Sequence, residues 1–281
     1  CIGSDHVVEV LDVGALRNGQ PYIVMELLDG ESLGQRLARV SRLTARETTW
    51  IFRQLLTGLQ AAHSAGVVHR DLKPDNVFIL RHKAGQDDFV KIIDFGISRY
   101  QDLDDHNPRV TRAGVMMGTP LYMAPEQASG QQEADQRSDI YAVGVMLYEC
   151  LSGAAPFPAK AFNELLFQIA LGQSIPLEER LHIDPELARI VAKAMAKDPL
   201  ARYQCCAEMR SALEDWQVAQ DVLLDSHHVT IEIGNEPPSI PSEHHPLDSV
   251  ISYAPCGMLT PSPPAGYFTP GAGLDAPAPG L

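Results

Sequence analysis

A chain of 281 residues with 45% hydrophobic and 21% charged content can bury a substantial core and has the balance of an ordinary globular protein. Its 22 basic against 36 acidic residues leave a formal charge of −14, which sets the surface against nucleic acid and acidic membrane, so neither is an expected partner. The five cysteines, Cys1, Cys150, Cys205, Cys206 and Cys256, form no C-x-x-C pair and accompany no histidine cluster, so free thiols in a reducing, cytoplasmic setting are expected rather than a disulfide framework.

From the N-terminus, Val7–Val13 and Tyr22–Leu27 read as two short strands joined by the polar turn Arg17-Asn18-Gly19-Gln20. Thr44-x-x-Glu47 is a capping box. It opens a helix whose apolar face is Ile51, Leu55, Leu59 and Ala62, and Gly66 is placed to stop it. Val77–Leu80 and Phe89–Ile93 are β-prone runs on either side of the polar turn His82–Asp88, which predicts a hairpin. Ile140–Leu151 is apolar nearly all round, so a helix buried on every side is expected. Asp139 at its start then needs internal partners. Asp184-Pro185-Glu186 supplies an N-cap and a proline at the first helical position, ahead of Leu187, Ile190, Val191, Ala194 and Met195. From about Val218 the composition shifts to Pro, Ser, Gly and His. Beyond Pro237 too few apolar anchors remain to offset ordering entropy. Disorder is expected there, with a docking or phosphorylation tail as the functional alternative. No stretch reaches the roughly 18 apolar residues of a membrane span, and no signal peptide is visible.

The chemistry-bearing residues flank the expected hairpin. His69-Arg70-Asp71-Leu72-Lys73-Pro74-Asp75-Asn76 comes just before its first strand, and Asp94-Phe95-Gly96 follows its second. Two carboxylates, an ammonium and a carboxamide are therefore gathered at one end. Such a set suits phosphoryl transfer, where catalysis is mostly positioning and electrostatic stabilisation of spread negative charge. Asp94 and the side-chain oxygen of Asn76 are hard ligands suited to Mg²⁺. Asp71 can take a proton from an attacking hydroxyl, and Lys73 can neutralise charge on the moving phosphate. Each element alone is weak. Their order, followed by Ala124-Pro125-Glu126, is specific.

With these motifs the chain resembles the eukaryotic-type (Hanks-type) serine/threonine protein kinases, in the style of their bacterial members, over about residues 1–217. The resemblance implies an α+β, protein kinase-like fold. Residues 1–28 would be a remnant of the β-rich N-lobe with the hinge, 29–217 the mostly helical C-lobe, and 218–281 a Pro-rich tail. It implies ATP and Mg²⁺ as cofactors and Ser/Thr-bearing proteins as substrates, with self-association for autophosphorylation as a further partner arrangement. By the same resemblance Asp71 is the catalytic base, Lys73 its phosphate-neutralising partner, and Asn76 and Asp94 the metal ligands. Gly118-Thr119-Pro120-Leu121-Tyr122 fits the same class, with Thr119 near Asp71 and Lys73. Tyr22–Leu28 resembles the strand entering the hinge: Met25 would be the gatekeeper, the Glu26 carbonyl and Leu28 amide would meet adenine, and Phe78 would floor it. The resemblance also implies that Asp139 holds the catalytic loop, that Glu126 pairs with Arg202, and that His69 and Phe95 stack in a hydrophobic spine with Val10 above them. Arg70 would receive a phosphate from the activation segment, with Thr111 the first candidate acceptor and Ser98 and Thr119 the weaker ones. Asp102, Asp104 and Asp105 hint at basic substrates, a solvated loop being the competing reading.

The departures are as specific as the matches. The glycine-rich phosphate loop, the V-A-I-K lysine and the helix glutamate of the family have no counterpart in these residues, and the chain begins at Cys1. The expectation is an N-terminally truncated fragment with exposed apolar surface on its first strands that by itself binds ATP poorly. A truncated pseudokinase acting as a binding scaffold is the alternative reading. A small-molecule phosphotransferase is disfavoured by Ala124-Pro125-Glu126 and the long segment before it.

Overall fold

The fold is a computed structural model that describes residues 2–83, 85–95, 120–130, 134–159 and 161–233. Its first strands, β1 (Val10–Ala15) and β2 (Pro21–Met25), form an antiparallel two-stranded sheet. The first strand starts three residues later than the sequence predicts, for a visible reason. The segment before it is bound elsewhere: Val8 N donates to Ile92 O at 2.9 Å, Ile92 N donates to His6 O at 2.8 Å, and Val7 bridges Ile92 in parallel. Val7 and Val8 are therefore buried, while Val10, Leu11 and Val13 stand exposed, as the expectation of bare apolar surface had it. Val10, which the resemblance sets above His69 and Phe95, is half exposed.

A second sheet has the order β3 (Gly30–Ser32), β4 (Val77–Lys83), β5 (Gln86–Ile92), all antiparallel. The hairpin of β4 and β5 is longer than its apolar runs. The polar residues read as a turn extend the ladder through His82↔Asp87 and Lys83↔Gln86, and His82 Nδ1 bonds Asp87 Oδ1 at 2.8 Å across the strands. The short β3 was not legible. It needs glycine at its first position, because a Cβ on Gly30 would lie 2.0 Å from the Ile79 carbonyl oxygen.

Helix α1 (Leu33–Val40) follows directly, capped reciprocally by Ser32 and Gln35. Helix α2 (Ala45–Ser64) begins at the expected capping box, where Thr44 Oγ1 accepts from Glu47 N and Glu47 Oε2 accepts from Thr44 N. It ends before Gly66, whose φ of +76° suits glycine. Ile51, Phe52, Leu55, Leu56 and Leu59 are fully enclosed. Each contributes about 1.5–3 kcal/mol of burial against about 1 kcal/mol for the cap. Packing holds the helix; the cap sets its start.

The remaining elements are α3 (Pro125–Ser129), α4 (Gln136–Ser152), α5 (Phe162–Leu171), α6 (Leu177–Arg180), α7 (Pro185–Ala194) and α8 (Cys206–Ile233). Helix α4 is the central rod, buried from Ser138 to Tyr148 without a break, as its all-round apolar sequence predicts. Helix α7 starts at the Asp184 cap with Pro185 in its first turn. Helix α8 runs to Ile233, past the composition change at Val218. The Pro-rich stretch beyond lies outside the described residues. The result is an α+β, kinase-like arrangement: a mostly helical body built round α4, with β4 and β5 on its edge and the small β1–β2 sheet beyond.

Candidate active site

The loop from His69 to Asn76 joins α2 to β4 and is anchored from below by α4. Asp139, 1% exposed, accepts from His69 N at 2.9 Å, from Arg70 N at 2.8 Å and from His63 Nε2 at 2.7 Å. These are the internal partners its burial demanded. His63 itself went unread in the sequence, since nothing in its spacing distinguishes it from a surface histidine near a helix end.

Arg70 has φ +67°, a left-handed conformation costing a side-chain-bearing residue about 1–2 kcal/mol. A hydrogen bond to a charged acceptor returns about 1.5–3 kcal/mol, so Asp139 is sufficient to hold the turn. The next side chain, Asp71, is 54% exposed, and its Oδ2 lies 3.0 Å from Lys73 Nζ. Behind it, buried Asn76 donates through Nδ2 to the Asp71 carbonyl at 2.9 Å.

The hairpin brings the other end of the motif set to the same place. Val77 pairs with Ile92, and Ile93 N donates to Asn76 O at 3.0 Å. Asn76 and Asp94 therefore leave the ladder side by side at one end. Asp94 is exposed with φ +59°. Phe95 packs its ring 4.9 Å from that of His69, whose Nε2 donates to Ile93 O at 3.1 Å.

Met25 ends β2, partly exposed, and Glu26, Leu27 and Leu28 follow without regular structure. Leu27 is 99% exposed. Glu26 is tied down: its N donates to Glu9 O at 3.0 Å, and its carboxylate accepts from Glu9 N at 2.9 Å and from Lys91 Nζ. Burial pushes the Glu26 carboxyl up, but Lys91 and the Glu9 amide outweigh it, and the group ends below its ordinary value. Lys91 is itself buried on β5 and was also missed, because a lysine inside an apolar strand run reads as solvent-facing. Phe78 lies half-buried on β4, in register with Lys91 and Ser32.

Arg202, 2% exposed, forks onto Glu126 at 2.7 and 2.8 Å and donates to the carbonyls of Ala196, Lys197 and Arg137. Ser138 Oγ adds a bond to Glu126 at 2.7 Å. This pair is as expected. Tyr122 donates to Glu149 at 2.6 Å, and burial followed by that carboxylate raises its phenol above the usual range. Of the other predicted positions, Gly96, Ser98, Thr111, Gly118, Thr119 and the acidic stretch at Asp102, Asp104 and Asp105 lie outside the described residues. No helix among the described residues is long and apolar enough to cross a membrane.

Comparison with known proteins shows the family. The protein kinase domain family matches residues 1–214. Serine/threonine-protein kinase pkn3 of Myxococcus xanthus is 38% identical over 210 residues, covering 74% of this chain and 38% of that protein. Serine/threonine-protein kinase PknD of Mycobacterium tuberculosis is 36% identical over 213 residues, covering 75% of this chain and 30% of that protein. The chain thus spans about a third of the length of the curated relatives it matches. Among solved structures, the Mycobacterium tuberculosis PknI kinase domain superposes with a TM-score of 0.55 at 26% identity, covering 76% of this chain and 72% of that one. The chain belongs to the protein kinase domain family, with bacterial serine/threonine-protein kinases among its relatives.

Proposed function

We propose that the protein transfers the γ-phosphate of ATP to Ser or Thr hydroxyls of proteins, with the loop from His69 to Asn76 as its catalytic loop. One observation carries this reading: an exposed Asp71 paired with Lys73, beside a hairpin end from which Asn76 and Asp94 both emerge. In the proposed reaction the substrate oxygen forms a bond to the γ-phosphorus as the bond to the ADP oxygen breaks. Asp71 accepts the hydroxyl proton, and Lys73 offsets charge on the transferring group. The donor set fits Mg²⁺. Asn76 spends its amide nitrogen on the Asp71 carbonyl, which leaves its oxygen as one hard ligand, with the Asp94 carboxylate as the other in this reading. When bound, the ion supplies charge neutralisation at the phosphates.

Adenine would meet the Glu26 carbonyl and Leu28 amide, with Met25 as gatekeeper and Phe78 beneath; the Glu26–Lys91 tie supports a fixed hinge. Arg70 Nε is buried without a hydrogen-bond partner among the described residues, which supports Arg70 as receiver of a phosphate on Thr111. A pure scaffold has no use for these metal-type ligands. The test is Asp71→Asn in the full polypeptide, assayed with Mg²⁺, ATP and a Ser/Thr peptide. Turnover should fall by about 10²-fold or more while nucleotide affinity holds. Unchanged turnover would remove Asp71 from its role.

A further inference from the structure

The peptide groups on either side of Asp71 are each held by a side-chain amide. Asn76 Nδ2 donates to the Asp71 carbonyl at 2.9 Å. Gln127 Nε2, from α3, donates to the Arg70 carbonyl at 3.0 Å. The Gln127 oxygen meanwhile accepts from Ala124 N at 3.0 Å. Both partners of Gln127 are backbone groups of fixed polarity, so the amide has one orientation that satisfies them, with oxygen to the N–H and nitrogen to the C=O.

We infer that Gln127 is a positioning residue: it clamps the Arg70–Asp71 peptide and so aims the Asp71 carboxylate. Arg70 sits in a left-handed turn, and Asp139 grips only its N–H. With the N–H held, the carbonyl is the remaining handle on how the turn rotates into Asp71. Gln127 is well placed to grip it, because its neighbour Glu126 is locked to Arg202 and Ser138. Helix α3 is thereby pinned to α4, and the clamp arm stands on a rigid base. The same link ties the aim of Asp71 to the chain that arrives at Ala124. A contact of this kind, between residues 57 apart in sequence, connects the end of one segment to the orientation of the group presented by another.

This inference rests on Asp71 being the proton acceptor, so the test has one arm that needs no turnover. Gln127→Glu is isosteric and keeps the acceptor for Ala124 N, but it turns a carboxylate oxygen towards the Arg70 carbonyl. Amide exchange across residues 69–72 should quicken by about tenfold in the variant, with the melting transition little changed. In the full polypeptide, kcat for a Ser/Thr peptide should fall by about tenfold with KM for ATP nearly constant. The ratio of variant to parent kcat should then climb as pH drops towards about 4.3, the ordinary Glu value, because the protonated carboxyl regains a donor for the Arg70 carbonyl. Gln127→Leu, which loses both bonds, should show the deficit without the recovery. Unaltered exchange and kcat in Gln127→Glu would overturn the clamp, and so would a deficit that ignores pH, since that marks a packing role only. A parent protein without turnover sinks the proposed function instead, and the exchange arm still decides the clamp.

Discussion

Arg202 and Glu126 show what a single buried pair does in this molecule. Five donor bonds satisfy the guanidinium, and its carboxylate partner takes a further bond from Ser138. Burial pushes the Glu126 carboxyl up, but Arg202 and Ser138 pull harder, and the group ends below its ordinary value of 4.5. A carboxyl lowered by folding stabilises the native state above its unfolded value and loses that contribution as pH falls through the folded one. Glu126→Gln should therefore cost about 3–5 kcal/mol at neutral pH in urea denaturation, because Arg202 is left buried without a counter-charge. The difference between parent and variant should shrink steadily below about pH 4.5. A constant difference down to acid pH would show that the charge on Glu126 is not what matters.

Helix α5 illustrates stabilisation by a partner outside the element. It has no side-chain cap at its start, Phe167 and Leu171 are exposed, and Leu165 and Ile169 are its buried contacts. Its last carbonyls are met by Lys197, whose Nζ donates to Gln168 O and Ile169 O and lies 4.3 Å from the centre of the Phe157 ring. A cation at a helix C-terminus is favourable, yet burial dominates and pushes the ammonium down to about 8 from 10.5. Between these values the unfolded chain binds a proton that the folded chain has released, so folding stability rises with pH across that window. Lys197→Met should abolish this rise, read as the parent-minus-variant difference in melting temperature between about pH 8 and 10.5. It should also loosen the last turn of α5. An equal pH response in both proteins would mean Lys197 titrates freely in solvent.

At the scale of the whole molecule, stability is unevenly distributed. The body has α4 enclosed from Ser138 to Tyr148 and α2 packed on β5 and α8. Among the described residues the β1–β2 sheet has only its own two strands, and Val10, Leu11, Val13, Val24 and Met25 are exposed on it. It is fastened by the His6–Val8 segment along β5 and by Lys91 on Glu26. Backbone amides of β1 and β2 should therefore exchange far faster than those of α2 and α4, by local opening that leaves the helical body intact. Protection of β1 equal to that of α4 would show the sheet to be an integral part of the core. The exposed side chains of these strands form an apolar face with no packing partner among the described residues.

Local signals carried much of this protein. The caps at Thr44 and Asp184, the all-round apolar run after Asp139, the order of the loop and hairpin motifs and the Glu126–Arg202 pairing were legible because each rests on nearby residues or on a resemblance tied to a motif. What the chain could not announce were the contacts between remote segments: His63 under Asp139, Lys91 on Glu26, Gln127 on the Arg70 carbonyl, and β3 laid against β4. Spacing along a chain specifies periodicity and ends of elements, whereas which polar atoms meet is decided when separate elements pack and each buried donor or acceptor takes the partner within reach. The tertiary structure alone made that choice.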